Sequence, residues 1–335
     1  MKLLVRLLTV AFLFLLLLIG ALALCYFSTL PLERFLQYKV NEALPEIEVS
    51  SLKMDRQSFA PQSSLVLSGI KAEGRDGGGR AFEVSAEKVV VTDIFTLWDA
   101  QRKTHLSASG IEFEGFDVKA TQAALEGDYQ ASGEQWRFAG PVTIERIYAN
   151  GQAIKKIACR LEADQKAFKL TDLNMQLGTG RVSGEFMLEF GAKFPYYMDI
   201  ALENIPTKQL NLQDHLDGIL NGRLKVRGDQ HSFSEIEGKL KAPAGVMMNA
   251  RLLSPLLSYI PQSTQKKQIE SIIAQNKTIF VDVFALELHS RKANFLKTQF
   301  DIESKEYNLD VNLGVDINTD GGIQALLNSD IFSHL

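Results

Sequence analysis

The chain has 335 residues, of which 46% are hydrophobic and 23% are charged, and its formal net charge is −4. This composition is typical of a folded protein and excludes a largely disordered chain. Basic and acidic residues are interspersed, so there is no strong positive field and nucleic-acid binding is not expected. Cys25 lies in an apolar segment and Cys159 near mid-chain, so a disulfide between them is not expected.

The N-terminal segment contains an uncharged apolar run from Leu7 to Phe27, preceded by Lys2 and Arg6. These 21 residues, at about 1.5 Å each, reach roughly 30 Å, the thickness of a bilayer's hydrocarbon core. We therefore predict that residues 1–30 form a transmembrane anchor, with everything after them in a non-cytosolic compartment. A cleaved signal peptide is the alternative, because residues 21–23 resemble a cleavage site, but a signal's apolar region is usually only about 7–15 residues.

The rest of the chain shows two different hydrophobic periods. Residues 31–44 place apolar side chains three and four positions apart, which predicts an amphipathic helix beside the membrane. Beyond it, apolar and polar residues alternate through most of the chain, which predicts strands with one apolar face. The longest alternation covers residues 307–317. The predicted fold class is mainly β: a transmembrane helix followed by antiparallel strands with one apolar face and a few helices.

Four segments interrupt this alternation. A short helix is expected over residues 206–216, and a longer one, broken near Pro261, over residues 249–275. The glycines at positions 77–79 lack the context of a phosphate-binding loop and predict the tip of a hairpin. Residues 120–140 are polar without clear alternation, which predicts irregular structure. Because no Pro/Ser-rich linker is present, residues 31–335 are expected to form one continuous domain.

The sequence resembles the AsmA-like family of bacterial envelope proteins, which is related to the bridge-like lipid-transfer proteins. After the anchor and its following helix, the resemblance is carried by Leu65–Gly74, Ala81–Ala120, Gly140–Phe190, Leu220–Met247 and Tyr307–Ile317. It covers nearly the whole chain. It implies that the β-rich body is a long, curved antiparallel sheet that forms an open groove or half-barrel. It also implies an inner-membrane protein whose body lies in the periplasm, with a role in envelope and outer-membrane lipid homeostasis in which acyl chains are held or conducted in the groove.

The apolar stripes of the second half are the candidate groove lining. A sheet with one apolar face must cover that face with a helix, a second sheet or a ligand, and this sequence offers few helices. The alternative is that the same residues form the closed core of an ordinary sandwich. The lipid-groove candidates are Phe186, Leu188, Phe190, Met198, Leu224, Phe300, Leu309, Val311 and Leu313.

No pattern in the sequence predicts catalysis, and no cofactor is expected. The five histidines are scattered, without the spacing of a zinc site, and no nucleophile elbow or P-loop is present. Asp316, Asn318 and Asp320 match the first positions of a calcium loop. The bidentate glutamate expected at the twelfth position is replaced by Leu327. A turn at the end of a strand is the better interpretation, and no metal is expected.

Three classes of function are considered. The first is a membrane-anchored protein that binds or conducts phospholipid acyl chains, with phospholipid or another lipid as its partner. The second is an envelope assembly or scaffold factor that pairs with partner proteins through exposed strand edges. The third, an anchored hydrolase, lacks a catalytic residue to nominate, and the chain is predicted not to be an enzyme.

Overall fold

The structure is a computed structural model. It describes residues 47–60, 64–92, 103–132, 135–149, 152–190, 194–210, 215–229, 232–292 and 295–318, together with positions 34, 37, 38 and 41. The chain separates into two compact units, Met1–Gln165 and Lys166–Leu335. Each unit carries antiparallel sheet, so the predicted mainly β class is confirmed.

The first unit is a meander. Its described strands are β1 (Ile47–Lys53), β2 (Arg56–Ala60), β3 (Ser64–Asp76), β4 (Ala81–Thr92), β5 (Thr104–Gly115), β6 (Val118–Ser132), β7 (Gln135–Ala149) and β8 (Gln152–Asp164). From β3 to β8 each strand pairs with the next one along the chain, while β1 and β2 pair with opposite ends of β3. Within the described residues no pairing joins β8 to β1 or β2, so this sheet is open.

The second unit is also antiparallel. Its described strands are β9 (Ala167–Leu177), β10 (Gly180–Glu189), β11 (Tyr196–Pro206), β12 (Leu216–Gly228), β13 (Phe233–Lys241), β14 (Val246–Asn249), β15 (Thr278–Val281), β16 (Val283–Lys292), β17 (Phe295–Ser304) and β18 (Leu309–Asn318). The main sheet has the order β9-β10-β11-β12-β13-β16-β17-β18. The β14–β15 pair is attached to the start of β12. No pairing in the described part of this unit joins β9 to β18.

Helical structure in the second unit is short. The predicted broken helix over 249–275 contains two 3-10 turns, Ala250–Leu253 and Pro255–Ser258, and an α-helix, α1 (Thr264–Ala274). The Ser263 hydroxyl caps α1 by accepting a hydrogen bond from the Lys266 amide at 3.1 Å. Another 3-10 turn, Thr207–Leu210, occupies the start of the predicted helix over 206–216. We refer to residues 249–277 as the helical cap.

Alternation along the strands sorts side chains into a buried and an exposed face. In β17 every second residue from Leu296 to Ser304 is buried, while the residues between them remain accessible. The predicted alternation over 307–317 corresponds to β18, although Tyr307 lies in the turn that precedes the strand. In the first unit Leu65, Leu106 and Phe138 are fully buried.

The hairpin predicted at residues 77–79 joins β3 to β4. Asp76 organises it, because its Oδ1 accepts hydrogen bonds from the amides of Gly78 at 3.0 Å and Arg80 at 2.8 Å. Its Oδ2 pairs with the Arg80 guanidinium. The Arg80 amide hydrogen bond is the main reason that the pKa of Asp76 is lowered. Gly79 has φ +77°, a conformation that side chains with a Cβ rarely adopt.

The prediction of irregular structure over residues 120–140 is wrong, since β6 and β7 occupy most of it. Gln122 has φ +53° and forms a β-bulge: Phe113 pairs with Ala120 and Ile111 pairs with Ala123, so β6 has one extra residue. Ala120 and Ala123 are both buried although three positions apart. The bulge shifts the phase of alternation within the strand, which removes the period-two pattern from the sequence.

The N-terminal predictions fall mainly outside the described residues. The anchor, residues 1–30, lies there entirely; in the described part of the chain no helix is long and apolar enough to cross a membrane. Of the predicted helix over 31–44, the described positions are helical. Asn41 contacts β1 through both polar atoms of its side-chain amide. Oδ1 accepts a hydrogen bond from the Val49 amide at 2.7 Å, and Nδ2 donates one to the Val49 carbonyl at 3.2 Å. Gln37 Nε2 donates to the same carbonyl at 2.8 Å.

Candidate functional site: the apolar face of the second sheet

The structure places eight of the nine predicted lining residues on one face of the second unit's sheet. Cross-strand pairing fixes this arrangement, because Phe186 is opposite Met198, and Phe300 is opposite Leu313. The ninth, Phe190, follows the end of β10 and is 38% exposed. Six of the nine belong to a single hydrophobic cluster: Met198, Leu224, Phe300, Leu309, Val311 and Leu313. Phe186 and Leu188 are buried outside that cluster.

One end of this face is covered by the helical cap. Leu253 and Leu256 of the 3-10 turns and Ile269 and Ile272 of α1 are buried in the same cluster as the sheet residues. The sheet contributes Leu220, Phe284, Ile302 and Val311, and the short strands contribute Met248 and Ile279. This end is an ordinary dry core, in which close packing and removal of apolar surface from water stabilise the fold.

The middle of the same face is only half-buried. Two neighbouring rows of side chains cross the strands there, one through Leu202, Leu240 and Leu286 and the other through Leu224 and Leu288. Each of these leucines keeps part of its surface accessible, in contrast to the fully covered positions under the helical cap. We call this strip the apolar trough; its half-buried members are Ile200, Leu202, Leu224, Leu240, Leu286, Leu288 and Leu313.

Beyond the trough the apolar face is more deeply buried. Val226, Ile236 and Leu296 are buried in a third row, whose other members, Met198 and Ser290, are half-buried. The trough is therefore the strip of this face with the most continuous partial exposure. The accessible part of each leucine contributes no free energy of transfer out of water. Covering these contiguous leucines with another apolar group would therefore be favourable.

Gly238 and Thr298 interrupt the leucines of the trough. A Cβ placed on Gly238 would lie 3.2 Å from Leu224 Cδ1 and 3.3 Å from Leu288 Cδ1, so these two side chains lean over the glycine. Thr298, opposite Leu288, is fully buried. Its Oγ1 has no hydrogen-bond partner in the described residues. A buried hydroxyl without a partner is destabilising relative to a methyl group of the same size.

The opposite face of this sheet is charged and largely self-neutralised. Arg223 donates two hydrogen bonds to the Asp199 carboxylate, at 2.8 and 2.7 Å, and Lys225 donates to Glu235 at 2.6 Å. Lys239 pairs with Glu287 across β13 and β16. All of these groups except Glu235 border a concavity of about 710 Å³, which Glu237, His289 and Lys297 also line. Because its cations alternate with carboxylates, this surface carries no strong field of one sign and is a poor binding site for a charged ligand.

Within the described residues of the second unit, the titratable groups do not assemble a reactive site. The hydrogen bonds from Arg223 lower the pKa of Asp199, which therefore stays ionised. Desolvation raises the pKa of Tyr196 to about 12. His289 is exposed on the charged face, opposite Glu237 and Lys297 in the neighbouring strands. In the first unit, burial raises the pKa of the Cys159 thiol to about 11, which keeps it protonated and unreactive at neutral pH.

The residues of the incomplete calcium loop are divided. Asp316 and Asn318 lie in β18, where Asp316 is opposite Lys297, and Asp320 lies outside the described residues. The predicted turn itself, after residue 318, lies outside the described residues.

Of the nine lining residues predicted from the sequence, Leu224 and Leu313 lie in the trough. The prediction did not include Ile200, Leu202, Leu240, Leu286 and Leu288, although Leu286 and Leu288 alternate with Glu287 and His289. Comparisons of the chain with models of protein families, with curated proteins and with solved structures found no match. The resemblance to the AsmA-like family therefore remains a prediction carried by the sequence segments named above.

Proposed function

We propose that this chain is a membrane-anchored envelope protein that binds or conducts phospholipid acyl chains along the apolar trough. In this proposal residues 7–27 hold the protein in the inner membrane as a single span, and the two β-rich units lie in the periplasm. The role is maintenance of envelope and outer-membrane lipid composition, as the AsmA-like resemblance implies. No chemical step is required of the protein.

The observation that supports the proposal is the half-burial of contiguous leucines in the trough. An acyl chain would complete the burial that the helical cap provides at one end, and each methylene it buries contributes about 0.8 kcal/mol. The half-buried members lie on four neighbouring strands, β11, β12, β13 and β16, which at about 4.8 Å per strand spacing gives about 14 Å, with Leu313 beyond the buried residues of β17. One leaflet of a bilayer core is about 15 Å thick, so the trough is about as long as one acyl chain.

Site-specific photo-crosslinking in cells tests this proposal on the full-length chain. A photoreactive amino acid at position 288 should form adducts with phospholipid that mass spectrometry identifies, because this side chain borders the trough. The matched control is position 287, which is next to it on the charged face. Lipids that merely surround the anchor would label neither position. Equal labelling at both positions, or lipid at neither, overturns the proposal.

Substitution gives a second measurement. Leu313→Asp places a carboxylate at the half-buried edge of the trough, and we expect it to reduce lipid crosslinking from position 288 at least several-fold. Gly314→Asp is the matched control, because a Cβ at Gly314 would face the charged side and has only Lys297 Cε near it, at 3.7 Å. Both variants should be shown to fold by circular dichroism. Unchanged crosslinking in a folded Leu313→Asp protein would argue against an acyl chain in the trough.

A further inference from the structure

The helical cap differs in charge from the rest of the chain. Residues 249–277 contain four basic residues, Arg251, Lys266, Lys267 and Lys277, and one acidic residue, Glu270, a formal net charge of +3. The whole chain has a net charge of −4. None of the four basic side chains forms an ion pair with another described residue, unlike the paired cations on the charged face of the sheet.

An exposed aromatic tip lies among these charges. Tyr259 ends the second 3-10 turn, where its amide donates to the Leu256 carbonyl at 3.0 Å, and it is 50% exposed. Half-buried Ile260 and exposed Pro261 follow it before α1 begins. The inward-facing side chains of the cap are buried in the core, as described above. The cap is therefore amphipathic, with a dry inner side and an outer side that combines one large aromatic ring with cations.

Contacts within the cap place Lys266 beside this tip, and Lys277 near Arg251. Lys266 Nζ donates to the Ile260 carbonyl at 3.2 Å. The Ala250 amide donates to the Lys277 carbonyl at 3.0 Å, which places Lys277 beside the first 3-10 turn and Arg251. Lys277 Nζ also lies 5.9 Å from the centre of the Tyr307 ring. Glu306 contacts Tyr307 and Glu270 lies within the cap, so the four cations of the cap outnumber these two carboxylates.

We propose that the helical cap docks on the surface of an anionic lipid bilayer, with Tyr259 at the headgroup level and the basic residues against lipid phosphates. Tyrosine favours this interface because its ring is apolar and its hydroxyl is polar. Lysine can keep its charge in the headgroup region while its aliphatic stem covers apolar surface. The complementarity of charge selects an anionic bilayer over a neutral one. The proposal goes beyond the proposed function, because docking requires no acyl chain in the trough.

Binding to vesicles tests the proposal with the full chain. The protein is placed in nanodiscs of neutral phosphatidylcholine, which accommodate the N-terminal segment, and its binding to separate immobilised vesicles is measured. The vesicles contain either phosphatidylcholine alone or phosphatidylcholine with about 30% phosphatidylglycerol, a content chosen to give the strongly negative surface on which polybasic segments bind. We expect binding to the anionic vesicles and little to the neutral ones, and we expect it to weaken as salt is raised, because salt screens exposed charges.

Variants locate the binding surface. Each basic residue near an anionic surface contributes about a five-fold gain in partitioning, so the combined Lys266→Ala, Lys267→Ala, Lys277→Ala variant should bind about 100-fold more weakly. Replacing the same three lysines by arginine should preserve binding. The matched control is Lys71→Ala, Lys88→Ala, Lys155→Ala, which removes three exposed lysines from the first unit and should leave binding unchanged. Tyr259→Ser should weaken binding several-fold with the charges intact.

Three outcomes would overturn the inference: equal binding to neutral and anionic vesicles, an equal effect of the two triple-alanine variants, or no vesicle binding at all. If a photoreactive residue at position 259 labels a protein instead of lipid, the cap binds a protein partner and not a bilayer. Failure here is distinguishable from failure of the proposed function, because lipid labelling from position 288 and vesicle binding by the cap are measured independently.

Discussion

Leu224 lies directly opposite Gly238 in the neighbouring strand, and its Cδ1 would be 3.2 Å from a Cβ added at Gly238. The atoms that a new methyl group would meet at Gly238 are mainly the ends of leucine side chains, which can move because Leu224 and Leu288 are half-buried. Removing a glycine from a strand also stabilises by about 0.5–1 kcal/mol. We expect Gly238→Ala to change the free energy of unfolding by less than about 1 kcal/mol, measured by urea denaturation.

Gly222 is the matched comparison, because it lies in the neighbouring strand on the same face. A Cβ there would be 2.6 Å from the Lys239 carbonyl oxygen, which belongs to the backbone and cannot turn away. Gly222→Ala should therefore lower the free energy of unfolding by about 1–3 kcal/mol. Equal effects of the two substitutions would show that the leucines over Gly238 are fixed, and that the middle of the trough is packed as tightly as a core.

The second sheet also shows which structural features the sequence could predict. Alternation in β10, β17 and β18 correctly assigned which side chains share a face, because the side-chain period of a strand is two residues. It could not distinguish Phe300, which is buried, from Leu313, which pairs with it and is half-buried. That difference is a property of tertiary packing, which leaves no period in the sequence.

Thr298 carries the second stability prediction. Because its buried hydroxyl has no partner in the described residues, Thr298→Val should raise the free energy of unfolding by about 1 kcal/mol. The shape of the side chain is nearly unchanged, so no cavity or overlap is introduced. Chemical denaturation monitored by circular dichroism gives the measurement.

The control is the reverse change, valine to threonine, at the residue opposite Thr298 in the neighbouring strand. Val315 is opposite Thr298 and is 2% exposed. Val315→Thr adds a second buried hydroxyl and should lower the free energy of unfolding by about 1–3 kcal/mol. A loss of stability in Thr298→Val would mean that the hydroxyl does have a partner, and lipid bound in the trough would be the first candidate to examine.

The failure over residues 120–140 has a different physical origin. One residue in the left-handed region, Gln122, changes the phase of alternation, and β-branched or aromatic residues are few in β6, so neither period nor propensity marks the strand. The hairpin at residues 77–79 was predictable for the opposite reason. Consecutive glycines after Asp76 are a local turn signal that does not depend on distant packing.

The Asp199–Arg223 pair predicts a dependence of stability on pH. Hydrogen bonds from Arg223 lower the pKa of Asp199 below its ordinary value of 3.8. A carboxyl with a lowered pKa in the folded state stabilises that state above its unfolded-state pKa, and this contribution is lost as the pH falls through the folded-state pKa. The difference in stability between the wild type and Asp199→Asn should therefore be constant near neutral pH and shrink below about pH 4.

Nuclear magnetic resonance titration of Asp199 tests the cause directly. In Arg223→Gln the pKa of Asp199 should return toward 3.8, because the charged donor that leads the shift is removed. The exposure of the Arg223 side chain, 69%, means that solvent screens the pair and that the effect on stability is small. An unchanged pKa in Arg223→Gln would show that the ion pair is not maintained in solution.

Asn41 provides the last prediction, at the junction between the N-terminal helical positions and β1. Its Oδ1 accepts from the Val49 amide at 2.7 Å, and Val49 itself is 1% exposed. Asn41→Ala removes the acceptor and should increase hydrogen exchange of the Val49 amide about 5- to 30-fold, corresponding to a local loss of about 1–2 kcal/mol. Gln37→Ala is the control: it removes a donor to the Val49 carbonyl, which Asn41 Nδ2 still serves, so the protection of the Val49 amide should stay unchanged. Equal exchange in both variants would mean that Asn41 does not hold β1, and that the contact between the helix and the first sheet lies elsewhere.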